Sequence, residues 1–191
     1  QVAYDGWPRT GIPDLFEDET DSAAFAARLV RAGAIRDASQ LRGAIRPALR
    51  YPTLELRIAD CCTEVEDALA IAALYRCLVR MLLRRADLGT QWHGHTRRLV
   101  DENRWRAKRH GIEAGFIDEV SGDVQPATEW LRALCALVAE DARALACEDS
   151  LRRLGTIVAR GTSAHGQLAR YEELRGLGAS RVEALRGVVD M

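Results

Sequence analysis

The stretch Ala44-Ile45-Arg46-Pro47-Ala48-Leu49-Arg50-Tyr51-Pro52-Thr53-Leu54-Glu55-Leu56-Arg57-Ile58-Ala59-Asp60 decides how this chain is read. Residues 44–50 and 53–60 both alternate with a period of two, the repeat of a β-strand whose successive side chains point to opposite faces. Tyr51-Pro52 separates them as a tight turn, so the sequence predicts an antiparallel hairpin. Pro47 has no N–H to give to a ladder and predicts an edge or a bulge in the first strand.

The hairpin sorts its residues by face. Leu54, Leu56 and Ile58 share one side and are expected in a core. With Tyr51 and Pro52 as the loop, Arg50 opposes Thr53, Ala48 opposes Glu55 and Arg46 opposes Arg57. Arg46, Arg50, Glu55 and Arg57 then share the polar side. Like charges directly across a ladder repel, so Arg46 opposite Arg57 calls for a counter-ion. Glu55 can serve, and so can a phosphate, which guanidinium groups hold by paired hydrogen bonds. A carboxylate between arginines also suits Mg²⁺-nucleotide chemistry. Glu55 is the candidate metal ligand, and Arg57 and Arg46 are candidates to neutralise a transferring phosphoryl group. Arg50 is a further candidate, with Arg57, for contact with the nucleotide. A solvated face gives the same alternation on pattern alone.

Outward from the hairpin, helix dominates. Residues 1–20 read as a looping entry punctuated by Gly6, Pro8, Gly11 and Pro13. Phe25, Ala26, Leu29 and Val30 recur at helical spacing and stop at Gly33, predicting a helix over 22–32. Thr63-Glu64-Val65-Glu66 has the form of a capping box, opening a central buried helix that reaches about Arg85. Further helices are expected over 96–110, from Pro126 to about Ala146, and over 148–160, 163–175 and 180–191, with a weak hairpin over 116–124. Ser180 and Glu183 form a second capping box. The sequence thus predicts an α+β fold, mostly helical with a short antiparallel sheet segment, in a single domain over 1–191. Its parts are a loop entry (1–20), a helix and hairpin (22–62) and a helical part (63–191).

Composition narrows the class. The 191 residues are 48% hydrophobic and 29% charged, a balance that sustains a packed core rather than disorder. A net charge of −1 gives no positive excess for nucleic acid or a membrane surface. The longest apolar run, from Ala68 to Leu83, contains Arg76 and Arg80, which argues against a membrane span. The five cysteines, Cys61, Cys62, Cys77, Cys135 and Cys147, include no CxxC pair, which favours reduced thiols in a cytoplasmic protein. Gln1 stands first with no signal-peptide pattern after it, predicting a processed or truncated end. P-loop, serine-hydrolase and dinucleotide-binding signatures do not occur.

A resemblance adds to this reading. Trp7-Pro8-Arg9-Thr10-Gly11-Ile12-Pro13, then Ile45-Arg46-Pro47 through Pro52-Thr53-Leu54-Glu55-Leu56-Arg57-Ile58-Ala59-Asp60, then Glu102-Asn103-Arg104-Trp105-Arg106-Ala107 and Arg160-Gly161-Thr162-Ser163-Ala164 follow in order. Together they resemble the carboxylate–amine ligases of the glutamate–cysteine ligase type 2 family, over nearly the whole chain. The resemblance is to the C-terminal half of that family. It implies half of a glutamine-synthetase-like funnel fold. It also implies an ATP- and Mg²⁺-dependent ligase that makes an acyl phosphate from a carboxylate for an amine to attack, releasing ADP and phosphate.

In the resemblance, Glu55 falls on a magnesium-binding glutamate and Arg57 on a phosphate-binding arginine. The implied partners are small-molecule carboxylate and amine substrates, and an N-terminal half or partner chain; a second copy of the chain is the other candidate. Two positions depart from the family pattern: Ala44 stands where it has an aspartate, and Ala48 where it has a histidine. These losses support the alternative of a non-catalytic or regulatory subunit that completes a partner chain. Outside the hairpin, Arg104, Arg106, Lys108, Arg109 and His110 read as a solvated basic face, with anion contact by Asn103 or Arg106 the alternative. His93 and His95 read as surface histidines.

Overall fold

The computed structural model describes residues 5–90 and 94–191. The chain divides into two compact units, Gln1–Asp60 and Cys61–Met191. The arrangement is α+β: mostly helical, with short strand pairs. Among the described residues no helix is long and apolar enough to cross a membrane.

In the first unit, β1 (Thr10–Gly11) pairs in parallel with β2 (Arg42–Gly43), a contact that sequence periodicity over two residues cannot announce. Helix α1 (Glu19–Arg31) starts three residues earlier than predicted. The reason is Asp18, whose carboxylate accepts the Asp21 N–H at 2.9 Å and so caps the first turn. Gly33 follows the helix with φ +68°, the left-handed region that glycine enters without strain. Strands β3 (Ile45–Pro47) and β4 (Leu54–Leu56) form the predicted antiparallel hairpin, shorter than its alternation suggested.

The second unit is built on α2 (Val65–Arg84), which follows the predicted span closely. Its predicted capping box does not form. Glu64 is the N-cap and makes no side-chain cap bond, and the Thr63 hydroxyl meets Ser163 Oγ at 2.9 Å instead. Ala70, Ala73, Cys77 and Met81 place one face of α2 in the core, while Leu69 and Leu83 on the same helix are exposed. The helix is therefore buried on one side rather than all round.

After α2 come α3 (Thr96–His110), the hairpin β5 (Gly115–Ile117) and β6 (Val124–Pro126), and α4 (Ala127–Leu137). Helices α5 (Ala139–Ala144), α6 (Glu148–Arg160), α7 (Ser163–Gly176) and α8 (Arg181–Val189) complete the unit. The single helix predicted from Pro126 to about Ala146 is split at Val138, which leaves helical geometry and is fully buried. α2 packs along α6 and against α5, and Ala142, Cys147, Leu151 and Leu154 close the core from those sides. The Ser180–Glu183 capping box forms as predicted and starts α8.

Candidate functional site

The β3–β4 register differs from the predicted one by two residues. Arg46 lies opposite Glu55, Ile45 opposite Leu56 and Pro47 opposite Leu54. The connection is longer than Tyr51-Pro52: Ala48 N–H bonds Thr53 O at 2.8 Å, and Thr53 N–H bonds Tyr51 O at 2.7 Å. A shift of two keeps every side chain on its predicted face, because the side-chain period is also two. The pairing of charges changes, however. Arg57 faces Ala44, with its N–H on Ala44 O at 2.7 Å, so the expected repulsion between Arg46 and Arg57 is absent. A carboxylate now stands directly across from a guanidinium, the favourable cross-strand pair.

Glu55 joins the two arginines. Its Oε2 accepts from Arg46 Nε at 2.9 Å and from Arg57 Nη1 at 3.1 Å, and its Oε1 accepts from Arg46 Nη2 at 3.3 Å. The hydrogen bond from Arg46, and next that from Arg57, holds the Glu55 carboxyl below its usual range. Arg46 is anchored further, since its Nη1 donates to Ser39 O at 2.6 Å and Leu41 O at 2.9 Å. Arg50 is not brought to this group; it lies exposed in the connection beyond the end of β3.

The faces are covered in the opposite sense to the prediction. Ile45 is 41% exposed and Leu54 47%, on the face expected in a core, and Ile58 is exposed as well. The polar face is the better covered along the ladder: Ala44 is buried, and Arg46, Glu55 and Arg57 are part-buried, as is Leu56 on the other face. Alternation tells which side chains share a face and says nothing of what is laid against it.

Glu55 fits a cation in one respect, as an ionised hard oxygen ligand. It is a single carboxylate, and both its oxygens already accept from guanidinium groups. Among the described residues no group of three or more His, Cys, Asp and Glu side chains could hold a metal ion. The chain therefore fits Mg²⁺ only as a contributor of one ligand. The arginine pair fits a phosphate better, since Arg57 is one-third exposed and its guanidinium is a fixed fork for oxyanions.

Three residues of the resembling segments outside the hairpin are held in local structural contacts. Asn103 Nδ2 donates to Ile117 O at 2.8 Å and its Oδ1 accepts the Ile117 N–H at 2.8 Å, so its amide acts as an extra strand partner for β5. Arg106 bonds Glu102 at 2.9 Å and Gly115 O at 3.2 Å. Thr162 caps α7 in a box completed by His165, whose Nδ1 accepts the Thr162 N–H at 3.1 Å. His95 Nε2 lies 4.0 Å from a Glu119 oxygen, and His93 is outside the described residues.

Sequence reasoning missed a ring of four charges. Arg153 bonds Asp67 at 2.8 Å and Glu64 at 2.5 Å, and Arg160 bonds Asp67 at 2.7 Å and Glu64 at 2.5 Å. It ties the start of α2 to the length of α6. The hydrogen bond from Arg160 leads in holding the Glu64 carboxyl below its usual range. Arg160 heads the resembling segment Arg160-Gly161-Thr162-Ser163, which was the signal available. A second such group is Asp141, fully buried, which accepts from Arg80 Nη1 at 2.6 Å and Arg84 Nη2 at 3.0 Å.

The family model described as Glutamate-cysteine ligase family 2 matches residues 1–188. A Rhodospirillum rubrum protein named "Putative glutamate--cysteine ligase 2" is 44% identical over 189 residues, covering 99% of this chain and 49% of that protein. Proteins of the same name from Bradyrhizobium diazoefficiens (44% identical, 90% of this chain, 40% of theirs) and Ectopseudomonas mendocina (40% identical, 100% and 50%) are similar too. The chain spans about half the length of the curated relatives it matches. A family match over nearly the whole chain, with relatives 40–44% identical over 90% or more of it, settles membership: the chain belongs to the glutamate–cysteine ligase family 2.

Proposed function

We propose that this chain forms one wall of an ATP- and Mg²⁺-dependent carboxylate–amine ligase of the glutamate–cysteine type. The observation that carries the reading is the Arg46–Glu55–Arg57 cluster on the β3–β4 hairpin, in a chain of this family. Bound ATP would supply the phosphoryl group that activates a carboxylate as an acyl phosphate, and Mg²⁺ would balance its charge. Arg57 holds the phosphoryl oxygens, and Arg46 fixes Glu55 and adds positive charge behind it. Glu55 contributes one oxygen to the cation and keeps the two guanidinium groups from repelling each other. Arg50, on the connection, reaches the nucleotide only if the connection folds towards it. The remaining ligands come from the half of the family's length that this chain does not span.

The test is an assay of ADP release with glutamate, cysteine and Mg²⁺-ATP, run on this chain alone and together with the other half. The reading expects ADP in step with amide product only in the combined assembly. Amide-coupled ADP release by the chain alone would contradict it.

A second reading has one observation in its favour. Ala44 is buried directly across from Arg57, where the family's aspartate would put a carboxylate. A subunit that completes or regulates a partner chain without performing the chemistry accounts for that loss. An assembly that binds Mg²⁺-ATP and forms no amide with any carboxylate and amine pair supports it.

A further inference from the structure

Cys77 and Cys147 lie with their sulfur atoms 3.5 Å apart, one from the middle of α2 and the other from the residue before α6. Seventy residues separate them in sequence. Nothing in the proposed ligase chemistry uses either thiol. Cys77 is fully buried and Cys147 is 9% exposed, both within the core cluster of Ala70, Ala73, Met81, Ala142 and Leu151. Two thiols that meet inside a core have each other as their nearest reactive group. A disulfide sets its sulfurs about 2.0 Å apart, so the pair must close by about 1.5 Å.

We propose that Cys77 and Cys147 are a redox dithiol, converted by hydroperoxides to an intrachain disulfide that locks α2 to α6. The order of events follows from burial. Burial in apolar surroundings, and next the hydrogen bond to Cys147, push the Cys77 thiol up to about 12, so it is protonated at neutral pH and does not react first. Cys147 is the less buried residue of the two, 9% exposed against none for Cys77. Ala142, Glu148 and Leu151 line an open cavity of about 540 Å³ between α4, α5 and α6 whose own thiol is Cys135 and not Cys147, so Cys135 competes for peroxide that enters there.

Hydrogen peroxide oxidises the Cys147 thiol to a sulfenic acid and leaves as one water. Cys77 sulfur then attacks the Cys147 sulfur and loses its proton, and the sulfenic hydroxyl departs with a proton as a second water. Two thiols and one peroxide thus become one disulfide and two waters. The exposed Cys61 is the internal control, since it meets peroxide first.

The experiment treats the full chain with hydrogen peroxide, removes the oxidant with catalase, and unfolds the protein in iodoacetamide before trypsin digestion. The disulfide joins peptide 77–80 to peptide 144–152. The expected result is that linked pair, two hydrogens lighter than its separate peptides. It is lost on dithiothreitol treatment and absent from Cys77→Ala and Cys147→Ser. The oxidised chain is expected to melt several degrees higher, because the bond closes a long loop in the unfolded state. Should Cys77→Ala fold poorly, the wild-type digest with and without dithiothreitol decides alone. Recovery of both residues as alkylated thiols, at a dose that oxidises Cys61 beyond the thiol, would overturn the proposal. So would Cys147 joined to Cys61, Cys62 or Cys135 in place of Cys77.

Discussion

Arg46 sits directly across the ladder from Glu55, and three of its nitrogens are committed: Nε and Nη2 to that carboxylate, Nη1 to the carbonyls of Ser39 and Leu41. One guanidinium therefore joins β3, β4 and the segment before β2. Lysine carries the same charge as a single point with no fork. Arg46→Lys is expected to loosen the hairpin, and hydrogen exchange of the Ala48 and Arg57 amides, which close its two ends, should speed up by about tenfold. Unchanged protection at both amides would show that the fork is not what holds the strands.

Acid should weaken the protein through named carboxylates. Asp141 is held below its usual range by the hydrogen bond from Arg84 first and from Arg80 after it, and Glu64 by Arg160 first. A folded-state value below the unfolded one gives stability that is present above the unfolded value of about 4 and lost as pH falls through the folded one. Tm is expected to hold steady from about pH 7 to about pH 5 and to drop below about pH 4. Asp141→Asn leaves two guanidinium groups facing a neutral amide. It should lower Tm at neutral pH far more than Asp149→Asn on the exposed first turn of α6, and should flatten the acid slope. Equal Tm values for the two variants would remove Asp141 from the account.

Asn103 completes β5 with both atoms of its amide. Asn103→Ala strands the Ile117 N–H and C=O, a loss of about 1–3 kcal/mol. Urea unfolding followed by far-UV circular dichroism measures it. A change within error would mean that water replaces both bonds without cost.

Gly161 stands between α6 and α7 at φ +100° and ψ +164°, a region open to glycine alone. A Cβ there would come within 2.9 Å of the His165 Cβ. Gly161→Ala should cost about 1–3 kcal/mol in the same unfolding experiment. A neutral outcome would show that the α6–α7 joint adjusts freely.

The sequence made some of this legible and hid the rest for physical reasons. Helices with strong local signals were readable: α3 and α6 have the predicted bounds, and Ser180 with Glu183 starts α8 as its box implies. Thr63-Glu66 shows the same kind of pattern and fails, because Thr63 spends its hydroxyl on Ser163, a hundred residues away. The membership of the polar face, with Arg46, Glu55 and Arg57 together, followed from the period of two. The partner of each residue did not, because the length of the 48–53 connection sets register and periodicity is blind to it. The rings around Glu64 and Asp141 join residues far apart in the chain, and local spacing carries no trace of them.

The measurement that bears most directly on the central claim is trapping of the acyl phosphate by hydroxylamine. This chain and the other half of the family's length are supplied together with glutamate, Mg²⁺-ATP and hydroxylamine, and the ferric–hydroxamate colour is read against ADP. If Arg57 holds the transferring phosphoryl group, the wild-type assembly forms hydroxamate and ADP in equal amounts, and Arg57→Ala lowers both by about 100-fold or more. Hydroxamate formation by Arg57→Ala within about twofold of wild type would contradict the account and return the arginine face of the hairpin to a structural role.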